Sequence, residues 1–410
     1  MKATRSINFK TIFFCFLVFA LVPVFFTLAI AGSTAGTTLT DDSRYLTASR
    51  SDFGCTNVIV GRKATIDGST IGSYTSDYPR FGRIRVVPGK TYPPGSMMPV
   101  YYKEHFYPDD LPVVKNYKFY QEYLAEKPKL LAQIPQVKQT YRCIVGRATY
   151  EGRHCGGMNE YGLTIGETTT DGRPELMNPK GLFYAYGDYM ENGLITLGLQ
   201  RAKTAREAIQ VMGSLAEKYG YRQSGEHFTV IDGKEAWAFE IFGAGSKWTP
   251  DSGKPGAVWC AQRIPDDHVG VSANRSRIGE IDLKNPDFFM ASPNIYAFGQ
   301  EMGWWKLDEP FVFYKVYGIP GTKFNSLREW RVLSLAAPSL KLDPNQDRFP
   351  FSVKPDKPLS VQDVITIHRD AYEGTPYDIT ANPAFLVDGK KSPLATSWGS
   401  GLPFEDGVRD

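Results

Sequence analysis

The chain has 410 residues, 42% hydrophobic and 13% aromatic, with 47 Lys and Arg against 44 Asp and Glu. That near-balance offers no basic surface for nucleic acid or an anionic membrane to recognise. The five cysteines form no C-x-x-C pair, and the five histidines (His105, His154, His227, His268, His368) show no H-E-x-x-H or other ligand spacing, so neither a metal nor a cofactor is expected.

Residues 1–31 have the three parts of a signal peptide: Lys2, Arg5 and Lys10, an apolar run from Thr11 to Ile30, and Ala29-Ile30-Ala31 before Gly32. A run of that length would also span a bilayer, but Pro23 and the small-residue site favour cleavage. Removing this segment leaves 44 residues of each sign. The product is expected to be secreted or periplasmic, with no stable membrane association. Residues 32–54, rich in Ser, Thr, Gly and Asp, read as a linker or propeptide. Residues 55–410 are enough for one large domain or two smaller ones with a substantial core.

From Cys55 the chain turns to short strands. Cys55–Gly61 is a strand, Asp67-Gly68 a turn and Ser69–Tyr74 its return; Arg83–Val87 is another strand. Residues 88–135, rich in Pro, Tyr and Lys, read as a long surface excursion. Tyr141 to Thr170 is a second strand-rich block. A helix over 183–201 is weakened by Gly187 and Gly193, whereas Ala205–Tyr219 is clear, with a Thr204/Glu207 capping box and Gly220 as its stop. A hairpin follows, Phe228–Ile231 and Ala236–Phe242 around Asp232-Gly233-Lys234, then strands Val258–Gln262 and Val269–Ala273. Ser360 caps a helix from Val361 to Tyr372. Strands in clusters with helices grouped between them indicate α+β, which a helix–sheet–sheet–helix layering would fit. Cys143 and Cys155 could pair in an oxidising compartment, which spacing alone does not decide.

Cys55 is the residue with most chemistry to offer. As the first residue of a processed chain it would carry a thiol and a free α-amine together. The thiol has a reference pKa of about 8.5 and the amine one about a unit lower, so the amine can take the thiol proton as histidine does elsewhere. A plain core cysteine at the start of a strand is the competing reading. A lipidated cysteine fits poorly after Asp52-Phe53.

The run Cys55-Thr56-Asn57-Val58-Ile59-Val60-Gly61, followed by Ala64 to Thr70, resembles the mature start of the dipeptidase A family. These are N-terminal-nucleophile cysteine hydrolases related to penicillin V acylase and bile salt hydrolases. The resemblance recurs in order through Gly157 to Leu163 with Gly166 to Thr169, Ser272-Ala273-Asn274 with Arg277 to Asp282, Glu329-Trp330-Arg331 with Ala337-Pro338-Ser339, and Arg369 to Asp378. It implies a four-layer αββα N-terminal-nucleophile hydrolase fold, and a dipeptide or small-peptide substrate cleaved through a thioester. It implies Cys55 as nucleophile with its amine as base, and Asp77 as the carboxylate orienting both. Asn274 and the backbone N–H of Thr169 would be the oxyanion donors. Arg331 would be the nearby cation, with Arg328 as the alternative. The arginine that precedes the carboxylate in many relatives is absent here, where Tyr74-Thr75-Ser76 stand.

Other readings of the same residues stay open. Asp77 could be a turn former, Asn274 lies in the sequon Asn274-Arg275-Ser276, and Arg331 could be a paired structural arginine. Relatives usually continue past Ser400 to Asp410, which raises the expectation of a fold incomplete at its C-terminus. The rivals at the level of function are an acylase on small N-acyl amides, a non-catalytic aromatic-rich binding protein, and a papain-like protease lacking that family's local signature.

Overall fold

The computed structural model describes residues 54–76, 82–102, 129–148, 153–185, 193–379, 386–387 and 390–391. The signal segment, residues 32–53, Asp77 and the run after 391 lie outside the described residues.

Two antiparallel sheets form the framework. The strands are β1 (Cys55–Val60), β2 (Ile71–Gly72), β3 (Thr75–Ser76) and β4 (Gly82–Val87), then the ribbon strands β5 (Lys90–Thr91), β6 (Met97–Tyr102), β7 (Lys129–Pro135) and β8 (Gln139–Thr140). They continue with β9 (Cys143–Ala148), β10 (Arg153–Asn159), β11 (Thr164–Thr168), β12 (Gly225–Ile231), β13 (Ala236–Gly243), β14 (Ala257–Ile264), β15 (Val269–Ser272), β16 (Phe289–Ala291) and β17 (Ser352–Val353). The larger sheet has eight strands in the order β16-β14-β13-β12-β11-β10-β9-β4; the smaller has five, β17-β15-β1-β2 with β3 also on β1.

Period-two alternation assigns the faces. On β1, Val58 and Val60 pack outward with Val269, Val271, Leu327, Leu333 and Val364. Ile59 points the other way, onto Ile231, Ala236 and Ile264 of the larger sheet. The opposite face of that larger sheet, with Ile165, Phe228, Val230, Phe239 and Trp259, packs against Leu197, Ile209 and Met212. Those three belong to the helices α1 (Leu194–Arg201) and α2 (Ala205–Tyr219). The outer face of the smaller sheet is covered by α5 (Lys323–Ala336) and α6 (Val361–His368), which follow the short helices α3 (Ile295–Glu301) and α4 (Phe313–Val316). The layering is therefore helix, sheet, sheet, helix, as expected for the αββα class.

Several local expectations need adjusting. The Ser69–Tyr74 return is two short strands in one register on β1, Ile59↔Gly72 and Cys55↔Ser76, with Ser73 Oγ accepting from the Val58 N–H at 2.9 Å between them. Described helix in the 183–201 stretch starts only at Leu194, after Gly193. The 88–135 stretch contains the β6–β7 ribbon. The helix that starts at Val361 stops at His368; Tyr372 has φ +60°, with its N–H bonded to the Asp370 carboxylate. Cys143 pairs with Asn159 across the β9–β10 hairpin. Cys155 thus lies four residues further along, about 13 Å away at strand spacing, and the two cannot be joined without moving the backbone.

Candidate active site

Cys55 opens β1, and because Asn57 and Ile59 face the larger sheet, alternation puts the Cys55 side chain on that face too. Asn57 is buried between the sheets and hydrogen-bonded to Thr229 at 2.9 Å, while Thr168 of β11 meets Ser272 of β15 hydroxyl to hydroxyl. These polar contacts tie the two sheets together beneath the cysteine. Cys55, Thr169 and Asn274 are half-buried amid buried neighbours, so the site opens at the end of the sandwich.

Asn274 is the centre of the contacts. The Cys55 N–H donates to its Oδ1 at 2.7 Å, and its Nδ2 donates to the Thr169 carbonyl at 2.8 Å. The sequence-named trio of Cys55, Asn274 and Thr169 is thereby brought together. Asn274 adopts φ +60°, a left-handed conformation that Asn tolerates better than most side chains but that still needs support.

Arg328 of α5 supplies the local cation. Its Nη1 donates to the Cys55 carbonyl at 2.6 Å, to Asn274 Oδ1 at 3.0 Å and to Thr56 Oγ1 at 3.1 Å; its Nη2 donates to the Ala273 carbonyl at 3.2 Å. The structure places Arg331 elsewhere. Its guanidinium makes a two-pronged pair with Asp370, both bonds 2.6 Å, and also donates to the Glu373 carbonyl. The alternative, Arg328, is therefore the arginine at Cys55, whereas Arg331 fastens α5 to the turn after α6. Asp77 lies outside the described residues, so its relation to Cys55 is not part of this geometry.

Tyr74 also borders the site, whereas Glu167 and Glu226 lie on the helix-facing side of the larger sheet with Ile165 and Phe228. Tyr74 follows the Ser73 bridge and crosses Gly166 and Gly156, where added Cβ atoms would lie 3.2 Å from its Cβ and 3.8 Å from its Cδ1. Burial, then the charges of Glu167, Cys155 and Cys55, raise its phenol pKa, so it stays protonated. Glu226, fully buried on β12, is pushed well up by burial first and by the neighbouring Glu167 carboxylate second, which keeps it a neutral acid. Sequence reasoning named Glu167 only as part of a motif and Tyr74 only as standing where many relatives have an arginine, and passed over Glu226. Isolated Tyr and Glu residues carry no spacing signal. With Lys323–Ala336 helical, Asn325, Arg328 and Glu329 stand at i, i+3 and i+4 on one stripe, a grouping that only the helix makes visible.

Among the described residues there is no group of three or more His, Cys, Asp or Glu arranged to hold a metal ion. A half-buried cysteine, an amide and a fixed guanidinium make a site suited to nucleophilic attack on a carbonyl and stabilisation of the resulting oxyanion.

The chain belongs to Peptidase family C69, whose pattern it matches over residues 54–391, starting one residue before Cys55. It is 27% identical over 337 residues to a probable dipeptidase from Latilactobacillus sakei, covering 80% of this chain and 62% of that one. Dipeptidase A from Lactobacillus helveticus is 26% identical over 329 residues, covering 79% and 62%. The chain thus spans about 62% of the length of these relatives. A solved structure of penicillin V acylase from Agrobacterium tumefaciens aligns with 78% of this chain and 74% of its own at 14% identity, with a TM-score of 0.32, too low to bear on the site.

Proposed function

We propose that the protein is an exported cysteine dipeptidase in which removal of residues 1–54 makes Cys55 the N-terminal nucleophile. The observation that carries this reading is the Cys55 nitrogen, held at 2.7 Å by Asn274 Oδ1 beside the Arg328 guanidinium. Once the Gly54–Cys55 bond is cut, that nitrogen is an α-amine already fixed in place. The start of the family match at residue 54 and the dipeptidase names of the relatives support the same reading.

In the proposed reaction the α-amine takes the thiol proton, and Sγ attacks the substrate carbonyl. The oxyanion is met by the second Asn274 Nδ2–H and the Thr169 N–H. The proton passes to the leaving amine, and water then releases the acyl group from the thioester. Arg328, adjoining Cys55, favours the thiolate by its charge. Cleavage of Gly54–Cys55 by the same thiol would account for the 32–54 segment.

The test is hydrolysis of a dipeptide panel by the secreted protein and two variants. Cys55→Ala is expected to lose all hydrolysis while melting like the wild type. Asn274→Ala is expected to lower kcat about 100-fold, the usual cost of one oxyanion donor. Dipeptide hydrolysis by Cys55→Ala would end the proposal.

A second reading, an acylase on small N-acyl amides, is favoured by one feature. Val86, Ile144 and Met158 lie in one cross-strand row on β4, β9 and β10, more than half of each exposed. Alternation puts them on the larger sheet's inter-sheet face, the one Cys55 points towards. An N-acyl amino acid run beside the dipeptides separates the two readings. The aromatic-rich binding protein has less support, because Trp237, Trp259, Tyr221, Tyr317 and Phe239 are core residues.

A further inference from the structure

Behind Asn274 lies a buried ionic cluster with no part in the chemistry above. Glu329 of α5 is fully buried. Its Oε1 accepts from Arg275 Nε at 2.6 Å, and its Oε2 accepts from both Arg275 Nη2 and Arg277 Nη1. The same two arginines reach outward to backbone carbonyls, Arg275 to Asp347 and Arg277 to Pro350. On the other side, Glu240 of β13 accepts from the Arg277 N–H at 2.6 Å, from the Ile278 N–H at 3.2 Å and from the Ser276 hydroxyl. Asn325 Nδ2 donates to the Ala273 carbonyl at 2.9 Å.

Asn274 is therefore the half-buried, left-handed residue in a turn whose neighbours on both sides are fixed. α5 supplies Asn325 and Arg328 to Ala273, and Glu329 to Arg275 and Arg277. A buried ion group is a costly way to stabilise a fold, because desolvation offsets most of the attraction. It is an effective way to hold a strained turn in one geometry. Burial lowers the Arg277 guanidinium pKa, and the charges of Glu329 and, less, Glu240 oppose that shift.

We infer that Glu329 is the positioning residue of the site: by gripping Arg275 and Arg277 it holds the 273–277 turn so that the Asn274 amide is aimed at the reacting carbonyl. Glu329 acts on the two arginines, and through them on Asn274. The kinetic part of this inference rests on the proposed hydrolase reading, whereas the part about the turn does not.

The experiment is a double-mutant cycle between Glu329→Gln and Asn274→Ala, read by kinetics on the best dipeptide and by amide hydrogen exchange over residues 273–278. Glu329→Gln keeps the shape and removes the charge. It is expected to lower kcat roughly 10- to 100-fold with KM changed less than about 3-fold, the pattern of a misplaced transition-state contact. In the Asn274→Ala background the same substitution is expected to cost less than about 3-fold, because its target is already gone. Exchange at the Arg277 and Ile278 amides is expected to quicken about 10-fold or more while β12 and β13 stay protected. If Glu329→Gln does not fold, Arg277→Lys replaces it; this keeps the charge but loses the fork, and the same readings are expected at smaller size.

Losses that multiply fully in the double variant would overturn the inference, as would unchanged exchange in the turn. So would a loosened turn with unchanged kcat. A wild-type protein that hydrolyses none of the substrates would refute the hydrolase reading instead, and the exchange experiment would still decide whether Glu329 holds the turn.

Discussion

Gly54 is buried although it precedes the strand that opens with Cys55, the proposed nucleophile. A Cβ built on it would lie 2.6 Å from Asn274 Oδ1 and 2.8 and 2.9 Å from the Arg328 guanidinium nitrogens. Both side chains are already committed to Cys55, so neither can step aside without giving up that contact. Gly54→Ala is therefore expected to slow removal of the leading segment about 10-fold or more and to accumulate the longer chain. The fraction of longer chain over time, by intact mass, checks this. The residual mature protein should hydrolyse dipeptides at the ordinary rate, because Gly54 is absent from it. Normal processing in Gly54→Ala would show that the crowding around this residue is irrelevant to cleavage.

At the scale of elements, α6 docks through its last residue. His368 Nε2 and Ser73 Oγ lie 2.5 Å apart, and Ser73 Oγ also takes the Val58 N–H, so this contact joins α6 to β1 one residue beyond Asn57. Burial pushes the His368 pKa down from 6.5 to about 4. The unfolded chain therefore binds this proton between pH 6.5 and 4 while the folded one does not. The stability this contributes is complete above pH 6.5 and is lost as pH falls towards 4, by about 3 kcal/mol at pH 4. His368→Gln should flatten that part of a plot of unfolding free energy against pH, measured in urea. A slope in the mutant equal to the wild type would assign the acid sensitivity to other groups.

Elements also differ in how far they could be read in advance. The helix α2 was legible because its apolar residues recur on one face and Thr204 and Gly220 mark its ends. The β12–β13 hairpin was legible from Asp232-Gly233 between two apolar runs. α5 was not, because Asn325, Ser326, Arg328 and Glu329 are buried beside apolar Leu327, Trp330 and Leu333, which blurs the one-sided pattern. The polar positions that hid this helix are the ones that reach Ala273, Cys55 and the arginine pair. At the site, Cys55, Asn274 and Thr169 were reachable through short motifs. The choice between Arg328 and Arg331 depended on which way each points from the helix, and only the fold supplies that.

For the whole molecule, the sandwich explains why these distant segments converge. β1 lies beside β15 with Asn57 opposite Ser272, so Cys55 and Asn274, 219 positions apart, come to the same end of one sheet. β11 of the facing sheet delivers Thr169, and α5 closes the arrangement from the outer layer. The central proposal is that this convergence serves a cysteine freed at its own nitrogen. Its most direct test is the N-terminal residue of the active protein recovered from the producing cells and their medium, by intact mass with N-terminal sequencing. A chain beginning at Cys55, with Cys55→Ala retaining the residues before it, is the expected result. A chain that begins near Gly32 and still hydrolyses dipeptides would contradict the N-terminal-nucleophile reading.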